Sequence, residues 1–260
     1  MKKLYKTIDS VVIKSNDKQY KQESVIEERP FNLLLNAVEI ATSMVLPEKL
    51  EEFAIGFLYA QGYIDKYSQI DSIRVCEDGS IFIYAESVKE PKPSDSIITS
   101  GCSGGTISKE IIGGNRKKSI TECKLTLDDC TKLIKETTLQ GLNLTMKTHG
   151  VHIAGFMSNG SLLGFAADVG RHNAVNKIIG ELLMNGIIPE GALYTTGRLT
   201  SEMVAYTARI GIPILISRNA PSTLGIEIAK KSDITLISYA RPGRLNIFNR
   251  PDRIIYKTAG

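Results

Sequence analysis

The chain has 260 residues, of which 42% are hydrophobic and 23% are charged. This composition is ordinary for a globular protein with one large core, or with a main domain and a smaller companion. The formal net charge of +4 is too small to indicate a protein that binds duplex nucleic acid. The N-terminus lacks the apolar stretch of a signal peptide, and apolar runs such as residues 212–216 are too short to cross a bilayer. We therefore expect a soluble, cytoplasmic protein without nucleic-acid or membrane partners.

Short apolar runs bounded by polar clusters predict strands in the first part of the chain, at residues 7–13, 31–35, 40–46, 70–75 and 80–85. Asp78-Gly79 lies between the last two runs and is a strong signal for a hairpin turn. Between the third and fourth runs, apolar residues recur with helical spacing. We expect this helix to open at Pro47, which suits the first helical position, and to stop before Gly62.

Two glycine-rich stretches follow, at residues 99–106 and 113–118, and they predict loops. Cys102 lies in the first stretch with glycines on both sides, so its thiol has a flexible backbone and little bulk around it. A thiol that carries sulfur needs this freedom to reach a donor and an acceptor, and the nearby Lys109 and Arg116 favour the reactive thiolate. Local sequence alone leaves open the alternative that Cys102 falls by chance in a glycine-rich turn.

The other cysteines predict structural roles. In a chain without an export signal, all four cysteines are expected to be reduced thiols. Cys76 lies beside two acidic residues, which disfavour a thiolate. Cys130 falls within a helical pattern, where cysteine is usually a small core residue, and Cys123 lacks a flexible frame.

Strands and helices alternate from about residue 126 onward. The predicted helices cover residues 126–139, 172–184, 201–209 and 222–231. The predicted strands cover residues 151–157, 161–167, 192–196, 213–217, 234–239 and 245–248. Alternation of this kind predicts an α/β layered domain with a partly parallel sheet, whose strand ends direct binding loops to one side. We therefore divide the chain into an N-terminal β-rich region at residues 1–122 and an α/β domain at residues 123–260.

Four polar turns follow successive strands of this predicted sheet, at residues 168–173, 195–200, 218–223 and 239–244. Three of them place arginine beside glycine or at a helix start, where a guanidinium group and backbone N–H groups can hold phosphate. The pattern favours a single phosphate-rich pocket, with Arg171, His172 and Arg198 as candidate binding residues. The alternative for the first turn is a capped turn in which Asp168 pairs with Arg171.

The three histidines do not predict a metal site. His149, His152 and His172 occur without the Cys-x-x-Cys pair that accompanies many zinc sites. His149 and His152 are three positions apart, and in a strand this spacing puts the two rings on opposite faces. We expect structural or pocket roles for these residues and no intrinsic metal.

One string of residues is distinctive, Asp168-Val169-Gly170-Arg171-His172-Asn173-Ala174. It is accompanied by Arg29-Pro30-Phe31, residues 51–58, 99–105 and 148–152, Thr196-Gly197-Arg198, residues 201–204, Ala220-Pro221-Ser222 and residues 241–247. In this order the segments resemble the formate dehydrogenase accessory sulfurtransferase family, FdhD. The resemblance runs from about residue 25 to about residue 250.

The resemblance implies a specific activity. Members of the family take sulfur from a cysteine desulfurase as a persulfide and pass it to the bis-molybdopterin guanine dinucleotide cofactor before that cofactor enters formate dehydrogenase. It also implies a main domain similar to the cytidine-deaminase fold, and a homodimer. The persulfide cysteine maps onto Cys102. The cofactor-binding segment maps onto Tyr239, Ala240, Arg241, Pro242, Gly243 and Arg244.

The chain departs from the family pattern at one position. Many members carry Cys-x-x-Cys in the loop, whereas Gly105 stands at the second position here. An internal disulfide in this loop is therefore excluded, and a lone persulfide resolved by a dithiol or a partner thiol is expected. A cofactor-binding chaperone without sulfur transfer is the alternative. A zinc deaminase is disfavoured, because the sequence lacks His-x-Glu and Pro-Cys-x-x-Cys.

Overall fold

The computed structural model describes residues 4–89 and 123–256, together with two short strands between them, β7 (Ser96–Ile98) and β8 (Thr106–Ser108). The segment with Cys102, Gly105, Lys109 and Arg116 lies outside the described residues. The chain begins with an antiparallel ribbon of β1 (Tyr5–Lys14) and β2 (Asp17–Ile26). The predictions missed β2, because its side chains are mostly polar and exposed and so carry no apolar pattern.

A four-stranded sheet follows, in the order β4-β3-β6-β5. Its strands are β3 (Arg29–Leu35), β4 (Val38–Val45), β5 (Ile70–Val75) and β6 (Ser80–Ala85). Helix α1 (Leu50–Gln61) connects β4 to β5, by way of a 3-10 turn at Tyr67–Gln69. Gly62 ends this helix with a φ of 85°, as predicted. The prediction that the helix opens at Pro47 was wrong, because Lys49 takes a left-handed conformation with a φ of 51° just before Leu50.

The second half of the chain is built on a six-stranded sheet in the order β11-β10-β12-β13-β14-β15. Its strands are β10 (His152–Ser158), β11 (Ser161–Asp168), β12 (Ala192–Thr195), β13 (Ile214–Ser217), β14 (Thr235–Arg241) and β15 (Arg244–Asn249). Strands β12, β13 and β14 are parallel, and the other neighbours are antiparallel. Helices α3 (Arg171–Met184), α4 (Ser201–Ile210) and α5 (Thr223–Lys231) connect them. The expected α/β fold with a partly parallel sheet is therefore confirmed.

Helix α2 (Leu127–Thr148) precedes this sheet and is 22 residues long, so it extends nine residues past the predicted end at 139. It begins with a capping box in which Thr126 and Asp129 exchange hydrogen bonds. It ends at His149, which has a φ of 51°. His149 and His152 therefore lie in different elements, because His149 ends helix α2 and His152 begins strand β10. Two short strands, β9 (Leu125–Thr126) and β16 (Ile254–Ile255), pair in parallel with each other. Strand β9 directly precedes α2, and β16 follows a 3-10 turn at Pro251–Arg253.

Helices α1 and α3 pack unusually close together. A Cβ atom on Gly56 would lie 1.8 Å from the carbonyl oxygen of Asn176, and one on Gly180 would lie 1.9 Å from that of Glu52. Only glycine permits this approach. Buried residues of both halves of the chain consequently share one hydrophobic cluster. The boundary at residue 122 stays a prediction. Along the described part of the chain, no helix has the length and apolar character needed to span a membrane.

Candidate functional site

The polar turns gather at one edge of the six-stranded sheet. Strands β11, β12, β13 and β14 run in the same direction, so their carboxyl ends lie at this edge. Strand β10 runs the opposite way and places its first residue, His152, between the ends of β11 and β12. We call this the polar edge, and it contains His152, Asp168, Arg171, His172, Thr196, Arg198, Arg218, Asn219, Tyr239 and Arg241.

Hydrogen bonds connect the turns that follow the three parallel strands. The side-chain amide of Asn219 donates to the carbonyl oxygen of Thr196 at 2.6 Å. The backbone N–H of Tyr239 donates to the carbonyl oxygen of Asn219 at 3.3 Å. The guanidinium group of Arg241 donates to the carbonyl oxygen of Arg218 at 2.9 Å. The arginines are therefore held on one connected backbone framework.

His152 lies at the centre of this edge. Its Nδ1 atom is 3.2 Å from Oγ1 of Thr196. Burial lowers the pKa of His152, and the neighbouring Arg171, His172 and Arg198 lower it further, while Asp168 opposes them. All three candidate residues of the first two turns therefore lie close enough to act electrostatically on His152.

A cavity of about 260 Å³ opens beside His152, between α2 and the polar edge. Helix α2 contributes Thr138, Leu142 and Thr145, and the edge contributes Thr196, Arg218 and Asn219. One wall is thus partly apolar and the other is polar and basic. This combination suits a ligand that joins a planar apolar group to an anionic one.

The first residue of α3 packs against the turn after β12. Arg171 is buried, with 6% of its surface exposed. A Cβ atom on Gly197 would lie 2.7 Å from the Cβ atom of Arg171, so glycine is needed for the turn to approach. Arg198, the next residue, is exposed. The two arginines that the sequence predicted, Arg171 and Arg198, therefore both lie at the polar edge, but Arg171 is buried and Arg198 is exposed.

Asp168 caps the turn, as the alternative for this segment expected, and it also forms an ion pair with Lys177. Its Oδ2 atom lies 2.8 Å from Nζ of Lys177 and accepts from the backbone N–H of Leu46 at 3.1 Å. Its Oδ1 atom accepts from Gly170 N–H at 2.9 Å and from the Asn173 amide at 3.0 Å. Both members of the ion pair are buried. Asp168 therefore fastens the end of β4 to the turn before α3. Lys177 was missed because only the packed structure brings it against Asp168 and the carbonyl oxygen of Leu46.

His172 contacts a buried carboxylate that the sequence predictions also missed. Its Nε2 atom lies 3.0 Å from Oε2 of Glu202, the second residue of α4. The contact is close, although the ring N–H does not align with this oxygen well enough for a regular hydrogen bond. The ring of Tyr206 lies edge-on to His172, with centroids 6.1 Å apart. Burial and the charge of Glu202 raise the pKa of Tyr206 well above its usual range, so Tyr206 stays neutral.

The segment predicted to bind the cofactor divides between the polar edge and a second cavity. Tyr239 and Arg241 are exposed on the polar edge, Ala240 is buried in the core, and Pro242 is exposed at the tip of the hairpin. Gly243 and Arg244 instead line a second cavity of about 780 Å³. Helix α2 and the last described residues, including Ile254, Ile255 and Tyr256, form the rest of this cavity.

The described thiols are poor candidates for chemistry. Burial raises the pKa of Cys130 to about 12 and also raises the pKa of Cys123. Both groups therefore stay protonated near neutral pH, when they are weak nucleophiles. Cys76 is a free, half-buried thiol. Within the described residues, no group of three or more His, Cys, Asp or Glu side chains is placed to hold a metal ion.

The fold and the polar edge together define an α/β protein with a basic surface at the carboxyl ends of a mixed sheet. Comparison with known proteins narrows this class. The model of the FdhD/NarQ family matches residues 26–255. The chain therefore belongs to the FdhD/NarQ family, and the resemblance seen in the sequence is confirmed.

Individual relatives agree with this assignment. The chain is 30% identical to the sulfur carrier protein FdhD of Bacillus subtilis (strain 168), over 90% of this chain and 91% of that one. It is 32% identical to the sulfur carrier protein FdhD of Staphylococcus haemolyticus, over 89% and 90% of the two chains. A crystal structure from Desulfotalea psychrophila, described as a formate dehydrogenase accessory protein, is 42% identical. It superposes with a TM-score of 0.87 and covers 97% of this chain and 100% of that one.

Proposed function

We propose that this protein is a sulfur carrier that acts in the maturation of formate dehydrogenase. In this proposal Cys102 accepts sulfur from a cysteine desulfurase as a persulfide. It then passes the sulfur to the bis-molybdopterin guanine dinucleotide cofactor, which is the substrate bound at the polar edge. We further propose that the protein is a cytoplasmic homodimer whose main domain has a cytidine-deaminase-like layering. The names of its relatives support the role.

The observation that carries the proposal is the gathering of four polar turns at one basic sheet edge, in a chain of this family. A guanine dinucleotide combines an apolar purine with a pyrophosphate. The cavity beside His152 offers a partly apolar wall next to Arg218, and Arg241 and Arg198 add positive charge at the same edge. Arginine suits phosphate because its planar fork can donate two parallel hydrogen bonds.

The proposed chemistry balances as two steps. First, the thiolate of Cys102 attacks the outer sulfur of the desulfurase persulfide, a new S–S bond forms, and the desulfurase thiolate leaves. Second, two electrons reduce this S–S bond, so that the outer sulfur is delivered as sulfide and the thiolate of Cys102 returns. Because Gly105 replaces the second cysteine of the loop, an external dithiol supplies these electrons and is itself oxidised to a disulfide.

The test is incubation of the full chain with a cysteine desulfurase and cysteine, followed by mass spectrometry under non-reducing conditions. A sulfur adduct of about 32 Da on Cys102 is expected. The variant Cys102→Ala should fold normally but fail to activate formate dehydrogenase. The matched control Cys76→Ala should fold normally and activate the enzyme. Full activation by Cys102→Ala would contradict the carrier role.

The chaperone alternative is favoured by one observation, the missing second cysteine at Gly105. It predicts binding of GDP, used as a fragment of the cofactor, without any adduct on Cys102. It also predicts that Arg241→Ala impairs activation while Cys102→Ala does not. The same two measurements therefore separate the two functions.

A further inference from the structure

The contact between Glu202 and His172 has no role in the function proposed above. Glu202 is 5% exposed and lies at the start of α4, whereas His172 lies at the start of α3. An ionised carboxylate in such a buried place is costly unless a partner carries positive charge or donates a hydrogen. Among the described residues, the one ion-pair contact of Glu202 is with Nε2 of His172, at 3.0 Å.

We propose that Glu202 is a positioning residue that holds His172 for the anionic ligand of the polar edge. An ionised Glu202 only 3.0 Å from Nε2 is stable if Nε2 carries a hydrogen, even though that N–H is not aligned for a regular hydrogen bond. In the proposed arrangement Glu202 is ionised and both ring nitrogens of His172 carry hydrogen, so Nε2–H faces the carboxylate and Nδ1–H donates to the anionic ligand. The inference rests on the proposed function for the identity of that ligand.

Two contacts and one electrostatic influence support an orienting role. Tyr206 packs edge-on against the imidazole at 6.1 Å between ring centroids and restricts its rotation. The hydroxyl of Tyr206 accepts a hydrogen bond from the side-chain amide of Gln61 at 2.8 Å, so this wall is itself anchored by α1. The charge of His172 reaches His152 at the centre of the polar edge, together with those of Arg171 and Arg198. In metal sites, loss of a carboxylate that orients a histidine costs about 10-fold to 100-fold in affinity or activity, and a comparable loss is expected here.

The first test needs no ligand. Nitrogen-15 NMR of the histidine rings in the full chain reports which ring nitrogen carries a hydrogen. Nε2 of His172 is expected to be protonated, and Glu202→Gln should alter the His172 signals while leaving those of His149 unchanged. An unprotonated Nε2 in the wild type would show that Glu202 donates the hydrogen as a neutral acid, and the proposal would be overturned.

The second test is a double-mutant cycle on GDP affinity, measured by calorimetry. Glu202→Gln should weaken binding about 10-fold or more, and the loss should vanish in a His172→Gln background because the two residues act as one unit. Glu181→Gln is the matched control, since it breaks the ion pair of Glu181 with Lys49 elsewhere on α3. An equal loss in both backgrounds shows a structural role and overturns the inference. If wild-type protein does not bind GDP, the proposed function fails instead, and the NMR result still decides the inference.

Discussion

The buried ion pair between Asp168 and Lys177 is expected to be a main determinant of stability at the junction of the two halves of the chain. Lys177→Met keeps most of the side-chain volume but removes the charge that lies 2.8 Å from Asp168. The carboxylate would stay buried with three N–H donors, from Leu46, Gly170 and Asn173. The carbonyl oxygens of Leu46 and Ala167 would also lose the ammonium donor that they share.

The size of the effect follows from these contacts. Breaking one partner of a buried pair usually costs about 3–5 kcal/mol, and the three remaining donors place this case near the lower end, at about 3 kcal/mol. For a chain of this length, a loss of this size lowers the melting temperature by roughly 6 °C. Urea unfolding followed by circular dichroism measures the free energy, and thermal unfolding measures the temperature shift.

Two comparisons make the measurement decisive. The double variant Asp168→Asn with Lys177→Met removes both charges and should be more stable than Lys177→Met alone, because no unpaired charge stays buried. Lys49→Met breaks a more exposed pair with Glu181, whose side chains are 28% and 20% exposed, and should cost about 1 kcal/mol or less. If Lys177→Met costs no more than Lys49→Met, the reasoning about burial is refuted.

Three further outcomes are expected. Gly56→Ala places a Cβ atom 1.8 Å from the carbonyl oxygen of Asn176 and must push helices α1 and α3 apart. It should lower the free energy of unfolding by about 3 kcal/mol, measured by thermal unfolding. A decrease below about 1 kcal/mol would show that the two helices separate easily. The pKa of His152 is lowered on folding, so the unfolded chain binds this proton at a higher pH than the folded chain, and the free energy of unfolding falls as the pH drops below about 6.5. In urea titrations at several pH values, His152→Gln should reduce the slope of the free energy of unfolding against pH. An unchanged slope would contradict this assignment. Arg241→Ala should weaken GDP binding about 10-fold by calorimetry, whereas Arg244→Ala, in the second cavity, should have a smaller effect. A larger effect of Arg244→Ala would indicate that the ligand binds in the second cavity instead.

The sequence predicted most of the sheet because its strands are buried and therefore apolar. In the α/β half of the chain, the boundaries of the predicted strands agree with the observed boundaries to within about two residues. The misses have a different cause. Strand β2 is nearly all exposed, and the last nine residues of α2 bury few side chains, so neither segment carries an apolar pattern.

The candidate site was predicted as a set of turns and not as a set of contacts. Successive strands of one sheet bring their carboxyl ends to one edge, and this topological rule allowed Arg171, Arg198 and Arg241 to be grouped from sequence. The residues that hold them could not be found in this way. Glu202 and Lys177 lie on helices among apolar residues, and their roles depend on partners that only the packed structure brings within 3.0 Å.

The segment at residues 168–173 has two roles, one in the core and one at the polar edge. Asp168 is the last residue of a strand and points into the core, where it pairs with Lys177. Arg171 and His172 begin the following helix, and their charges reach His152 on the polar edge. Asn173 donates to both Asp168 and the carbonyl oxygen of Met44, so it couples the turn to β4. Changes at Asp168 or Asn173 should therefore impair ligand binding only as far as they loosen the turn, whereas a change at His172 should impair binding in a protein that remains fully folded.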